Sequence, residues 1–341
     1  MLQAWPNTTK QLLAGLMLAA AALSCSSLAP PALAQKRRRT STPARTRNAS
    51  AKTSATTAAT ATTPGDGVIN IHTEPNAVIW LDEVRRGVTD AGGDLTVKKV
   101  SAGRHTLRVR AAGFKEKSIP WIPGRGNKLA VPLARTTDEA ELAFQQAEAA
   151  REKATTDEAR AAAAELYRRA ITLRPSYAAA HLGLARVLLD QNDYRSALAE
   201  IDAARRARPV YPEASAVEGR IQRAAAFENE AIESYRRAIR EARGFQPEAH
   251  TGLAIVLEDK GRLDEAAAEF RTAIAQLSDT EPVLYQLLGA LYERQEKYRE
   301  AVAAYEKYLE LAPEGSLAPA VRSVIDQLRR QAAEQEGTSP E

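Results

Sequence analysis

Residues 163–170 read Ala-Ala-Glu-Leu-Tyr-Arg-Arg-Ala and residues 231–238 read Ala-Ile-Glu-Ser-Tyr-Arg-Arg-Ala, an octet whose frame returns at a fixed interval through the C-terminal half of the chain. Its leading alanine recurs at Ala163, Ala197, Ala231, Ala266 and Ala301, with spacings of 34, 34, 35 and 35 residues. Four residues on stands a large side chain, Tyr167, Ile201, Tyr235, Phe270 or Tyr305. Three further on comes Ala170, Ala204, Ala238 or Ala273, with Tyr308 as the exception in the last unit. Twelve residues ahead of the alanine, the last four units carry a small residue: Ala185, Gly219, Ala254 or Gly289. Apolar residues at three- and four-residue steps make each unit a pair of helices, and a period in this range means a stacked repeat array. Small residues let the two helices of a hairpin approach, the large one fills the gap toward the next hairpin, and Pro175, Pro209 and Pro313 close helices.

This constellation resembles the tetratricopeptide repeat over residues 137–313, five units, followed by a capping helix at 314–335 and a short tail at 336–341. The resemblance implies an all-α right-handed superhelix of helical hairpins whose first helices line a concave groove. In that register the groove positions are Arg186, Arg220, Arg223, Gln286 and Arg294, with Glu213, Glu258 and Asp259. Arginine suits carboxylates through its bidentate fork, so a groove basic over units two and three and acidic over unit four is expected to bind an acidic or bipolar peptide. A solvated charged face is the plainer alternative. The Lys and Asn arrangement of carboxylate-clamping adaptors is missing. Two places depart from the pattern. In the first unit Arg151 takes the small position and a longer hairpin loop is expected; the third and fourth units lack the closing proline.

Ahead of the array, residues 67–134 switch to short alternating runs separated by turn residues, the mark of strands. Strands are expected at 68–72, 77–82, 105–109, 118–122 and 128–133, with Gly92-Gly93 as a turn. His105, Leu107 and Val109 point inward, and Arg104, Arg108 and Arg110 toward water. Thr73-Glu74-Pro75-Asn76-Ala77, Ile79-Trp80-Leu81-Asp82, Ser101 through Val109 and Gly113-Phe114 resemble the PEGA family. That resemblance implies a small antiparallel β-sandwich, without a defined ligand. Asn76 stands for the family's Glu-Gly pair and Glu83 for a turn glycine, and Asn tolerates the left-handed backbone such a turn needs.

The N-terminal residues carry no acid before Asp66, but eight basic groups within 1–64. Residues 65–134 hold 11 basic and 7 acidic groups and residues 135–341 hold 28 and 36, so the net +4 and pI near 9.1 belong to the tail and first domain. Lys10 and the apolar run through Leu23 have the length of a secretory h-region, too short to span. Two processing readings stand side by side: a signal peptide at 1–34 cleaved after Ala34, or a lipobox ending before Cys25, the only cysteine, which would be lipidated and tie the chain to a membrane. Lys36 through Arg39 sit on the wrong side for the positive-inside rule. Residues 35–66, rich in Ser, Thr, Ala and basic residues, are expected to be a disordered linker.

At 341 residues the chain is expected to be multidomain, and 44% hydrophobic with 26% charged residues exclude wholesale disorder and a multi-span membrane protein. His72, His105, His181 and His250 have no carboxylate or cysteine at metal-ligand spacing, and no phosphate loop, nucleophile elbow or acid pair appears. The expectation is an exported, non-enzymatic envelope protein without cofactor or metal, in the periplasm, at the outer membrane or on the cell surface. It would bind protein or peptide partners and no nucleic acid, and the sequence specifies no oligomeric state. The competing expectation is a wall- or glycan-binding protein in which Trp80 and Trp121 stack a sugar and the repeats are a spacer.

Overall fold

The computed structural model describes residues 67–82, 84–100, 105–122, 127–278 and 280–337. The signal segment, Cys25 and the basic linker lie outside them.

Among the described residues seven strands come first: β1 Gly67–His72, β2 Val78–Leu81, β3 Val84–Val88, β4 Asp94–Val100, β5 His105–Arg110, β6 Lys117–Trp121 and β7 Lys128–Ala130. They form two small sheets, ordered β4-β1-β7 and β3-β2-β5-β6. Alternation puts Ile69, Ile71, Ile79, Leu81, Val97, Leu107 and Val109 into one core shared by both sheets. Two strands, β3 and β4, go beyond the five expected. Both are mostly polar or basic, with β3 reading Val-Arg-Arg-Gly-Val, so hydrophobic alternation does not announce them. The sheets are also not wholly antiparallel as expected: β7 runs parallel to β1, Ile71 opposite Leu129, because the chain leaves β6 in one sheet and enters the other on the far side of β1. Asn76 adopts φ 56°, the left-handed turn expected of it.

Asp82, at φ 51°, turns β2 into β3 and is more than a turn residue. Its Oδ1 accepts from the Thr106 amide at 2.7 Å and its Oδ2 lies 2.5 Å from His105 Nδ1, which ties the β2 end to buried His105. Trp121 packs on that imidazole, ring centroids 5.8 Å apart, and is itself buried. A sugar-stacking pair of exposed tryptophans is therefore not what the domain presents.

Ten helices follow as five hairpins: α1 Glu139–Lys153 with α2 Asp157–Leu173, α3 Ala178–Asp190 with α4 Tyr194–Ala207, α5 Pro212–Ala224 with α6 Glu228–Glu241, α7 Pro247–Asp259 with α8 Leu263–Gln276, and α9 Pro282–Arg294 with α10 Tyr298–Leu311. Helix α11, Ala318–Gly337, buries Val321, Ile325 and Leu328 against the last hairpin as its cap. Proline at the first turn opens α5, α7 and α9, where its missing N–H would have no partner anyway. Where the closing proline is absent, left-handed residues do its work. Arg243 (φ 57°) and Gly244 (φ 97°) end the third unit, and Ser278 (φ 52°) ends the fourth.

The first hairpin loop is no longer than the rest: Ala154 to Thr156, three residues, as at 191–193, 225–227, 260–262 and 295–297. The expected difference comes from a shift of the loop instead. Thr156 caps α2 with Asp157 and Glu158 in its first turn, so the helix starts about one turn early.

Candidate functional site, the inner face of the array

The first helices of the first four hairpins touch one another in succession (α1 with α3, α3 with α5, α5 with α7), so they form the inner, concave side. Those in the middle of the array pack on both their own partner and their neighbours; α3 buries nine of its 13 residues and α7 nine of its 13. The second helices carry a single apolar stripe and face outward.

On this inner side the structure separates the groove positions into two groups. Arg220 Nη1 lies 3.2 Å from Glu248 Oε1 on α7, and Arg294 Nη1 lies 2.6 Å from Glu258 Oε1, so these pairs tie hairpins together. Among the described residues Arg186 has no hydrogen-bond or ion-pair partner, although its charge acts on Glu148, Asp190 and Tyr211. Arg223 keeps a buried Nε without a hydrogen-bond partner, as do Glu213 Oε2 and Gln286 Oε1. Asp259 titrates above its ordinary value because burial disfavours its charge, with Arg223 opposing and Glu228 adding. Asp190, which the sequence reading passed over, is likewise pushed up by burial against Arg220, Arg151, Arg160 and Arg186. The groove is therefore not simply basic then acidic. Two of its arginines are paired across hairpins, whereas Arg186 and Arg223, in units two and three, have no ion pair among the described residues.

At the N-terminal end the β-strands join the helices through a buried ion network that the sequence reading did not find. Arg110 on β5 lies 2.7 Å from Glu116 and 3.2 Å from Glu148 on α1, its guanidinium between the Trp80 ring (5.1 Å) and the Phe144 ring (4.8 Å). Arg151 lies 3.6 Å from Glu148 and donates to Tyr167 Oη at 3.2 Å, which explains a large cation at the small position. Glu148 also accepts from Tyr167. Against the desolvation of its partial burial, Arg151, Arg110 and that hydroxyl hold its carboxyl well below the usual range. Gln145 reads the β-domain backbone from both ends of its amide, accepting from Gly113 N at 2.9 Å and donating to Phe114 O at 2.8 Å. Of the arginines expected to face water, Arg110 thus faces α1 and Arg108 lies on Trp80 and Glu116, while Arg104 lies outside the described residues. The signal was Arg108 and Arg110 beside Trp80 on one strand face.

His181 and His250, at the same position of units two and four, are each buried between hairpin helices. His181 Nδ1 meets Glu200 Oε2 at 2.6 Å and Nε2 meets Pro175 O at 2.9 Å. His250 repeats this with Glu269 (2.5 Å) and Gly244 O (3.2 Å). Among the described residues no cluster of three potential metal ligands occurs, and no helix is long and apolar enough to cross a membrane.

Three family models match this region, each described as a tetratricopeptide repeat, over residues 154–221, 218–282 and 282–314. No curated protein matches the sequence. Similar solved structures include YrrB, described as "a TPR protein with an unusual peptide-binding site" (21% identity, 55% of this chain and 94% of that one, TM-score 0.41). TTC0263 of Thermus thermophilus (22%, 56% and 96%, 0.43) and PilF of Pseudomonas aeruginosa (16%, 57% and 88%, 0.49) are others. With the periodic hairpins, the inner row of first helices and the family matches in agreement, residues 154–314 are an array of tetratricopeptide repeats.

Proposed function

We propose that this chain is a non-enzymatic scaffold of the bacterial cell envelope whose repeat array captures a partner protein or peptide on its inner face. Export is inferred from the apolar segment after Lys10, with either cleavage after Ala34 or lipidation at Cys25. The PEGA resemblance of residues 67–134 fits an envelope setting, and the basic linker gives the folded part reach. The observation that carries the binding reading is the state of the groove cations. Arg220 and Arg294 are paired, whereas Arg186 has no ion pair among the described residues and Arg223 keeps a buried Nε without an acceptor. Buried donors are ordinarily satisfied, so such groups on a concave face suit a ligand that brings acceptors.

Crosslinking the full-length chain in intact cells, followed by fractionation and identification of captured proteins, tests this. Specific envelope proteins should be captured by wild type and lost from an Arg186→Glu, Arg220→Glu, Arg223→Glu triple variant that keeps its helical circular dichroism. Unchanged capture by that variant removes the groove reading; recovery of the folded chain in the cytoplasm removes the envelope reading.

A further inference from the structure

Tyr177 and Tyr211 occupy the same repeat position, immediately before α3 and α5, and share a cationic setting, although of the two only Tyr177 packs on Phe144 and only Tyr211 feels Glu213. Each ring carries a stacked guanidinium three residues upstream: Arg174 at 4.5 Å over Tyr177 and Arg208 at 4.4 Å over Tyr211. Each also feels an arginine of β5, Arg110 at Tyr177 and Arg108 at Tyr211, two residues apart on the strand that the buried network fixes beside α1. At the first junction the chain supplies two acids. Glu141 accepts from the Tyr177 hydroxyl and Asp138 pairs with Arg174.

At the second junction it supplies neither. Helix α1 begins about one turn earlier in the repeat frame than α3, and that extra turn with its cap is what carries Asp138 and Glu141. One repeat on, the equivalent positions are Thr172 and Pro175, and neither is acidic. The Tyr211 ring is buried, whereas its hydroxyl has no hydrogen bond among the described residues and reaches solvent; Arg208 and Arg186 have no ion-pair partner there. Glu213 acts on Tyr211 through its charge without bonding it, and its Oε2 has no donor.

We propose that the surface built by Tyr211, Arg208 and Arg186 binds an acidic segment of a partner protein, with two carboxylates three residues apart in the first turn of a helix. Those carboxylates take the part that Asp138 and Glu141 play at Tyr177. The inference rests on the groove reading and narrows it to one junction and one ligand chemistry. Carboxylates at the first turn of a helix are favoured there in any case, and the hydroxyl and two guanidiniums give each of them a charge-assisted or hydroxyl donor.

The test uses the full chain and a fluorescein-labelled peptide copying residues 136–143, Thr-Thr-Asp-Glu-Ala-Glu-Leu-Ala, followed by anisotropy. Saturable binding is expected, and it should weaken as salt rises. Tyr211→Phe removes only a hydroxyl that bonds nothing among the described residues, so the fold is kept; it should weaken binding about tenfold or more, as does Arg208→Gln. Tyr177→Phe, at the junction filled by the chain's own acids, should leave affinity unchanged. The same peptide with Asn for Asp138 and Gln for Glu139 and Glu141 should not bind. Equal binding of the neutral peptide, indifference to Tyr211→Phe, or no binding at all overturns this subsite. Because partner capture in cells is read separately, that failure leaves the groove reading standing, and loss of groove-dependent capture defeats the groove reading whatever the peptide does.

Discussion

Gly252 stands where a side chain has no room: a Cβ built there would lie 2.3 Å from Cζ of the fully buried Tyr235. Gly183 has the same relation to Tyr167, at 2.2 Å from Cε1. In units two and four the large residue is Ile201 or Phe270, and the equivalent glycine position holds Val217 or Leu287. The tyrosine and the glycine of the next hairpin are thus one packing choice made at two positions. Gly252→Ala should lower the urea midpoint, because overpacking costs about 1–3 kcal/mol, more than the roughly 1 kcal/mol that alanine gains over glycine in a helix. Tyr235→Ile with Gly252→Val, which copies the Ile201 and Val217 pair, should recover most of the loss. A midpoint that rises in the single variant contradicts this account. The large and small positions were both legible in the sequence, since a fixed period exposes them. Their coupling was not, because it runs between units and needs the stacking of hairpins to be seen.

Within the elements, His181 and His250 each cross-tie a first helix to its partner and to the turn before it. For both ring nitrogens of His181 to donate, to Glu200 and to the Pro175 carbonyl, the imidazole must be protonated. The Glu200 hydrogen bond raises its pKa above the ordinary value, burial opposes, the Pro175 carbonyl adds, and Arg206 opposes. A folded-state pKa above the unfolded one means the tie is fully stabilising below about pH 6.5 and is lost as pH rises through the folded value. Wild type should therefore lose a few degrees of Tm between about pH 6 and 8.5 that a His181→Gln variant does not lose over the same range. Parallel melting curves against pH for the two proteins would refute the tie. Unit three has Ser215 and Ser234 at these two positions, so histidine and glutamate are exchanged together. Helices were the readable elements throughout, being long and strongly periodic. Strands β3 and β4 were not, because Arg85, Arg86, Lys98 and Lys99 break the alternation with cations that lie outside the core.

At the scale of the whole chain, the β-domain is small enough that its own core leaves it marginal, and its attachment to α1 supplies what the core lacks. Arg110 is central to that attachment. It is shared between Glu116 of its own domain and Glu148 of the array, and it is enclosed by Trp80 and Phe144. Removing one member of a buried pair leaves the other charge uncompensated, at a cost of about 3–5 kcal/mol, whereas replacing both by apolar groups costs far less. This sets the expected order of three proteins in scanning calorimetry. Wild type should unfold with β-domain and first hairpin together, and Arg110→Ala should split off an earlier transition for the β-domain. Arg110→Met with Glu116→Met, which leaves Glu148 its Arg151 and Tyr167 partners, should lie between the two. A single unshifted transition in Arg110→Ala would show the network to be incidental to domain coupling. The sequence displayed every residue of this junction, but Arg110 read as a solvent-facing strand residue and Arg151 as a flaw in the first repeat. Each is correct for a domain considered alone. Only the meeting of strand and helix turns two locally unfavourable choices into one satisfied network, and that meeting also lays Arg110 and Arg108 along the tyrosines of two successive hairpins.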